Sequence, residues 1–273
     1  MPAHPPASPC LAATGHGHRL RGCVAALAGL LLAACAAHPP APPVADLPRL
    51  RGFLYDEPAP PFQLRGTVQI TYRGQLESGE LLLRSGPGDA HVLQLRARMT
   101  GSLALELRFD DLYLLVLDYV HETYFRGFND PETRLDQFST DLNPEEFRMA
   151  VTGRVPRRVF EEGGGVYNGA GEAAFSVGLE RYVFTLDAQG LPQRWVKLSG
   201  GQEALRVEYR GTVEVPSASG PPVRLPERVR VYVGEARPRL VLGVREYLPA
   251  AVTPLTAADL RLPADLRERF RPQ

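Results

Sequence analysis

Cys35 is the residue of this chain whose neighbours prescribe a chemistry. It follows Leu32-Ala33-Ala34, giving the order Leu-Ala-small-Cys. Small side chains let an extended chain enter a tight protease cleft, and the thiol can accept a diacylglycerol. Upstream, Val24 to Ala34 form an apolar run of eleven residues, preceded by Arg19 and Arg21. That length suits the ~7–15 residues of an export-signal core and falls short of the ~20 that span a bilayer. The sequence therefore predicts a lipoprotein signal peptide over 1–34 and lipid attachment at Cys35. An ordinary secretory signal with an incidental cysteine is the weaker reading.

Other chemistry is sparse. Cys10 and Cys23 lie in the segment to be removed, so neither a disulfide within the monomer nor a cysteine metal site is expected. His91 and His121 are the histidines of the region beyond residue 61, with no partner at metal-ligand spacing, and each reads as a surface or capped residue. No Gly-x-Ser-x-Gly elbow is present. The glycines after Glu161-Glu162 do not lead into Gly-Lys-Ser/Thr and read as a loop up to Gly171. Acidic pairs such as Asp110-Asp111 fall at turns, where solvated carboxylates are ordinary. No enzyme, no metal and no cofactor are expected.

Charge narrows the partners. Two of the 31 basic residues and no acid lie in 1–34, so the remainder carries 29 basic against 31 acidic residues, a formal net charge of −2. No basic surface is implied, and nucleic acid is not expected as a partner. Lys197 is the single lysine. With the abundance of Ala, Pro and Gly, it reads as coding bias and not as chemistry.

The elements that must carry any site are mostly strands. Residues 35–61 are rich in Pro and Ala and read as an extended tether, with a helical turn or two over Leu47 to Tyr55. From Phe62 the pattern has period two. Alternating runs cover 64–72, 76–84, 92–99, 103–109, 112–118 and 122–125, separated by turn residues. A short helical pattern follows at 131–138. Asn143-Pro144-Glu145-Glu146 then opens a helix carrying Phe147, Ala150 and Val151, which stops at Gly153. Alternation resumes over 173–179, 182–186, 194–198, 204–209, 229–233 and 240–247. The expectation is one mainly β domain over 62–265, with about 11–12 antiparallel strands, two or three helices inserted midway, and a tail at 266–273. The apolar faces are notably aliphatic, and a sheet this wide curls because strands twist. On composition alone a filled core is the stronger expectation than a cavity.

The order of features resembles the LolA/LolB superfamily of bacterial lipoprotein carriers and receptors, in particular its LolB-like branch. The matching pieces are the pattern at Cys35, the strand Phe62 to Val68, the turn Thr100-Gly-Ser102 before Leu103 to Leu107, and Tyr124-Phe-Arg-Gly127. They continue with the helix start Asn143 to Phe147, Tyr182 to Pro192, and Leu225 to Val231. The resemblance covers about residues 46–265. It implies an unclosed antiparallel β half-barrel with helices over its concave face and a hydrophobic cavity for acyl chains. Candidate lining residues are Leu93, Leu95, Leu105, Leu107, Leu117, Phe147, Val207, Tyr209 and Val231. It further implies an outer-membrane lipoprotein facing the periplasm, which receives acylated lipoprotein or lipid cargo, with a periplasmic LolA-like carrier as partner. Ala36 lacks the aspartate that commonly retains lipoproteins at the inner membrane.

One departure concerns the family's exposed inserting leucine, where this chain aligns Thr100 with Met99 beside it. Met99 either replaces that leucine as an apolar tip or ends the preceding strand facing inward, the second being the stronger expectation. The rival function is a non-catalytic scaffold lipoprotein of an envelope complex, built on the same half-barrel with a filled interior.

Overall fold

A computed structural model describes residues 50, 52–55, 62–72, 75–85, 91–110, 112–129, 140, 142–215, 223–234, 237–249, 261–262, 266 and 270–272. All of them belong to the unit Pro42–Gln273; a second unit, Met1–Ala41, lies outside the described residues. So do Leu32, Ala33, Ala34 and Cys35, and the predicted helix at 131–138. No helix among the described residues is long and apolar enough to cross a membrane.

The fold is mainly β and the sheet does not close. Its first meander comprises β2 (Phe62–Tyr72), β3 (Gln75–Ser85), β4 (His91–Ala97), β5 (Leu103–Phe109), β6 (Tyr113–Asp118) and β7 (Thr123–Phe128). A second comprises β9 (Val166–Tyr167), β10 (Glu172–Val177), β11 (Glu180–Leu186), β12 (Pro192–Ser199), β13 (Gln202–Val215), β14 (Val223–Tyr232) and β15 (Leu240–Pro249). Each runs antiparallel, and the two join where β15 pairs with β2. A two-residue strand β16 (Arg271–Pro272) pairs parallel with β7, so a 14-stranded sheet runs from β16 to β9 with two free ends. Separately, β1 (Leu54–Tyr55) pairs parallel with β8 (Val155–Pro156).

Period two explains the buried face. In β5, Leu105, Leu107 and Phe109 point inward; in β14, Val229 and Val231 do, with Arg228 and Arg230 on the other side. The inward faces and the inserted helices form one hydrophobic cluster. Its two halves differ in composition. The β10–β12 half is an aromatic stack, with Phe175 on Tyr182 at 4.9 Å, Phe184 on Trp195 at 5.7 Å and Phe53 against Phe184 at 4.8 Å. Opposite it, β2–β6 present Leu64, Leu81, Leu83, Leu93, Leu95, Leu105, Leu107 and Leu114.

The midway helix forms as its sequence dictates. In α1 (Pro144–Thr152) the Asn143 Oδ1 accepts from the Glu146 amide at 2.7 Å, and Glu146 Oε2 accepts from the Asn143 amide at 2.8 Å. This reciprocal box satisfies two of the first-turn donors. Gly153 ends the helix with φ +64°, a conformation that favours glycine.

Three expectations need correction. Leu50 and Phe53, assigned to the tether, are fully buried in the core, so the folded region begins before Phe62. The loop read over Glu161 to Gly171 supplies the end of α2 (Arg157–Glu162) and the edge strand β9. Leu266 and Phe270, read as tail, pack onto the sheet.

Candidate functional site: the face beneath α1

Leu93, Leu95, Leu105, Leu107, Phe147, Val207 and Val231 come together in the concave cluster. Leu117 does not. It pairs with Glu106 across β5–β6 and packs with Leu115, Leu266 and Phe270 in a separate cluster on the opposite face. The register explains the correction: Leu114 and Val116 pair with the inward Phe109 and Leu107, so their neighbours must point outward.

Polar contacts from five strands fasten α1 across this apolar face. At its start, Glu146 Oε1 accepts from Lys197 Nζ of β12 at 3.0 Å and from the Tyr182 hydroxyl of β11 at 2.6 Å. Glu146 and Lys197 are 1% and 3% exposed, so this is a buried ion pair. At midpoint, Arg148 stands 3.4 Å from His91 Nε2 of β4 and pairs with Glu145. At the end, Tyr209 of β13 donates to the Met149 carbonyl at 3.2 Å and accepts from Trp195 Nε1 at 2.9 Å. Tyr247 of β15 donates to the Val151 carbonyl at 3.2 Å. The Met149 carbonyl also accepts from the Gly153 amide at 2.8 Å, so Tyr209 adds a second donor there. Val151, in the last helical turn, lacks the i+4 amide and takes its donor from Tyr247.

Burial fixes the protonation of the latches. It pushes both the Tyr209 and Tyr247 hydroxyls far above the ordinary phenol range, so each remains a donor. Burial, and secondarily the Arg148 charge, lowers His91 to about 3, so its imidazole is neutral. Nε2 then faces Arg148 as an acceptor.

Several of these residues correct the sequence reading. His91 is buried, not a surface histidine. Lys197, read as compositional, is the cation that ties α1 to the sheet. Tyr209 lines the cluster as expected, but its phenol is a polar latch. The available signal was the oddity of one lysine in a chain whose other bases are arginine, and of Tyr at inward strand positions. Among the described residues, no group of three His, Cys, Asp or Glu stands ready for a metal ion.

Met99 is 98% exposed at the tip of the β4–β5 turn, which overturns its inward-facing reading. Thr100 is also exposed, and its hydroxyl spans the turn to Ser102 Oγ at 2.6 Å. Gly101 sits at φ +67°, which lets the chain reverse there and leaves Met99 outside the strand pairing.

The outer face is unexpectedly basic. Described residues form two depressions there, of about 580 and 660 Å³, and both include Arg228 and Arg230. A net charge near zero conceals this, because the sheet sorts arginines of β12–β15 onto one side.

No protein-family model matches the chain, and no curated protein does. Among solved structures it is similar to the LolA superfamily protein NE2245 from Nitrosomonas europaea, at 10% identity and TM-score 0.48, over 76% of this chain and 93% of that one. It is also similar to a putative outer membrane lipoprotein-sorting protein domain from Vibrio parahaemolyticus, at 9% identity and TM-score 0.49, over 75% and 91%. A DUF1329 family protein from Desulfovibrio piger is similar at 10% identity and TM-score 0.47, over 75% and 91%.

Proposed function

We propose that this chain is a non-enzymatic, lipid-anchored protein of the outer membrane that takes acyl chains of lipoprotein or lipid cargo against its leucine face, with α1 as the lid. The observation that carries this reading is the contrast between that face and the fastening of α1. The inward side of β2–β6 is largely leucine, joined by Val68, Ile70, Phe109 and Val116, whereas α1 is held at both ends by hydrogen bonds and an ion pair. Polar latches can exchange their partners for water when a lid lifts. The apolar face then exchanges protein side chains for acyl methylenes, each worth ~0.8 kcal/mol on burial. The sequence resemblance and the Cys35 pattern agree with this reading, and a periplasmic carrier is the partner it calls for.

A filled scaffold is the second reading, favoured by the aromatic half, where Trp195, Phe184 and Phe160 are fully buried. One experiment separates the two. The full chain carrying Cys35→Ser is purified and extracted, and the extract is read for lipid or acyl-peptide by mass spectrometry. Co-purifying lipid, or uptake of an acylated peptide offered afterwards, is the expected result. A lipid-free protein that also refuses the acylated peptide overturns the acyl reading in favour of the scaffold.

A further inference from the structure

We infer that the arginine-lined depression on the outer face of the seam β14–β15–β2–β3 is a binding site for the phosphates of anionic lipid headgroups, through which the sheet docks on a bilayer. The inference is independent of acyl uptake on the concave face.

The depression of about 660 Å³ is lined by Arg98, Arg228, Arg230 and Arg245, with the hydroxyls of Thr67 and Ser78, and its lining holds no aspartate or glutamate. Register builds it. Arg228, Gly243 and Thr67 lie side by side across β14, β15 and β2, and the missing side chain of Gly243 leaves room for the Thr67 hydroxyl, which donates to the Gly243 carbonyl at 3.4 Å. Among the described residues, these four arginines make no hydrogen bond or ion pair. Other arginines of this face do: Arg194 and Arg206 both pair with Glu203, and Arg206 also with Glu208, whereas Arg210 makes no ion pair among the described residues. Furthermore, Arg228 lies directly opposite Arg210 across β13–β14, an arrangement of like charges that costs stability unless an anion sits between them. Guanidinium forks match phosphate geometry in pairs.

The same end of the sheet points to a bilayer and not a soluble anion. Strands alternate in direction, so the β2–β3, β4–β5 and β6–β7 turns emerge at one end. Leu76, Met99 and Val120 lie at or beside them and are 70%, 98% and 68% exposed. Arg98 adjoins Met99 in sequence and lines the depression. Apolar tips enter the headgroup boundary while arginines remain at phosphate level.

The test uses the full chain with Cys35→Ser, which cannot be acylated, and co-sedimentation with vesicles of phosphatidylcholine alone or with one-third phosphatidylglycerol. Near an anionic surface each basic residue contributes roughly fivefold, so Arg228→Gln/Arg230→Gln/Arg245→Gln is expected to lower binding to the anionic vesicles about a hundredfold. Binding to phosphatidylcholine should not change. The matching Lys triple should retain most of the binding, which separates loss of charge from loss of fold. A charge-matched control, Arg157→Gln/Arg158→Gln/Arg181→Gln, should bind nearly as the parent does. Equal loss in control and test variants, or no loss in either, overturns the inference. So does displacement from the vesicles by millimolar inorganic phosphate at constant ionic strength, which would identify a free-anion site.

Discussion

At the scale of single residues, the buried polar groups set the energetics of the lid. Lys197 and Glu146 each lost their hydration on folding, and each is compensated chiefly by the other. Lys197→Met therefore leaves the carboxylate buried with only neutral donors, and breaking a buried pair in this way costs about 3–5 kcal/mol. Urea unfolding should show that loss, and the double variant Glu146→Gln/Lys197→Met should recover much of it. A single variant no less stable than the parent would mean that the pair is solvated. His91 gives a second residue-level outcome. The unfolded imidazole binds a proton below about 6.5, whereas the folded one stays neutral down to about 3. Hence the unfolded state binds more protons across that window, and stability falls as pH falls through it, by up to ~1.4 kcal/mol per unit. Above 6.5 the contribution is fully present. His91→Gln keeps an acceptor for Arg148 and should flatten the stability profile between pH 6.5 and 5 by about one proton, read from unfolding midpoints across pH.

At the scale of elements, α1 is nine residues long, too short to stand alone in water, so its persistence depends on its caps and on the sheet beneath. Tyr247→Phe strips the donor from the Val151 carbonyl, and Tyr209→Phe leaves Trp195 Nε1 without its acceptor while the Met149 carbonyl keeps the Gly153 amide; each unsatisfied group costs about 1–3 kcal/mol. Hydrogen exchange should accelerate in the amides of α1 in the double variant and stay unchanged in β12–β14; uniform acceleration would show that α1 is no separable lid. The sequence made α1 legible to the residue, because Asn, Pro, Glu and Gly at fixed offsets each have a local physical reason. The long strands were legible for the same reason, through period two. What escaped were the strands of two residues, β1, β8, β9 and β16, which are too short to show any period. Leu117 escaped because Leu114 to Leu117 is an unbroken apolar run buried on both faces, and alternation cannot assign sides in such a run. The latches escaped since they join residues far apart in the chain, Lys197 to Glu146 and Tyr247 to Val151, a distance at which no spacing rule operates.

At the scale of the whole molecule, an open sheet has two ends that must be kept from pairing with other chains. The β9 end is a strand of only two residues, a short edge of the kind that discourages pairing. The β7 end is longer and carries the exposed aromatics Phe125 and Phe128, the latter stacked on Tyr113 at 5.8 Å. Here β16 pairs along the start of β7 while Leu266 and Phe270 cover Leu115 and Leu117 on the outer side of β6. The Phe270 ring also meets Tyr119 edge-on at 5.2 Å. The C-terminal residues thus protect the edge that most needs it. Truncating Phe270 to alanine removes a buried ring from this cluster, a change that typically costs about 3–5 kcal/mol. Because the cluster is small and separate from the concave core, the loss should release β16 before it unfolds the sheet, leaving the outer edge of β7 unpaired. The expected outcome is concentration-dependent association at temperatures where the concave core stays intact, seen as rising light scattering with unchanged Trp195 fluorescence. Loss of the Trp195 signal in step with scattering would instead show that the two clusters unfold as one.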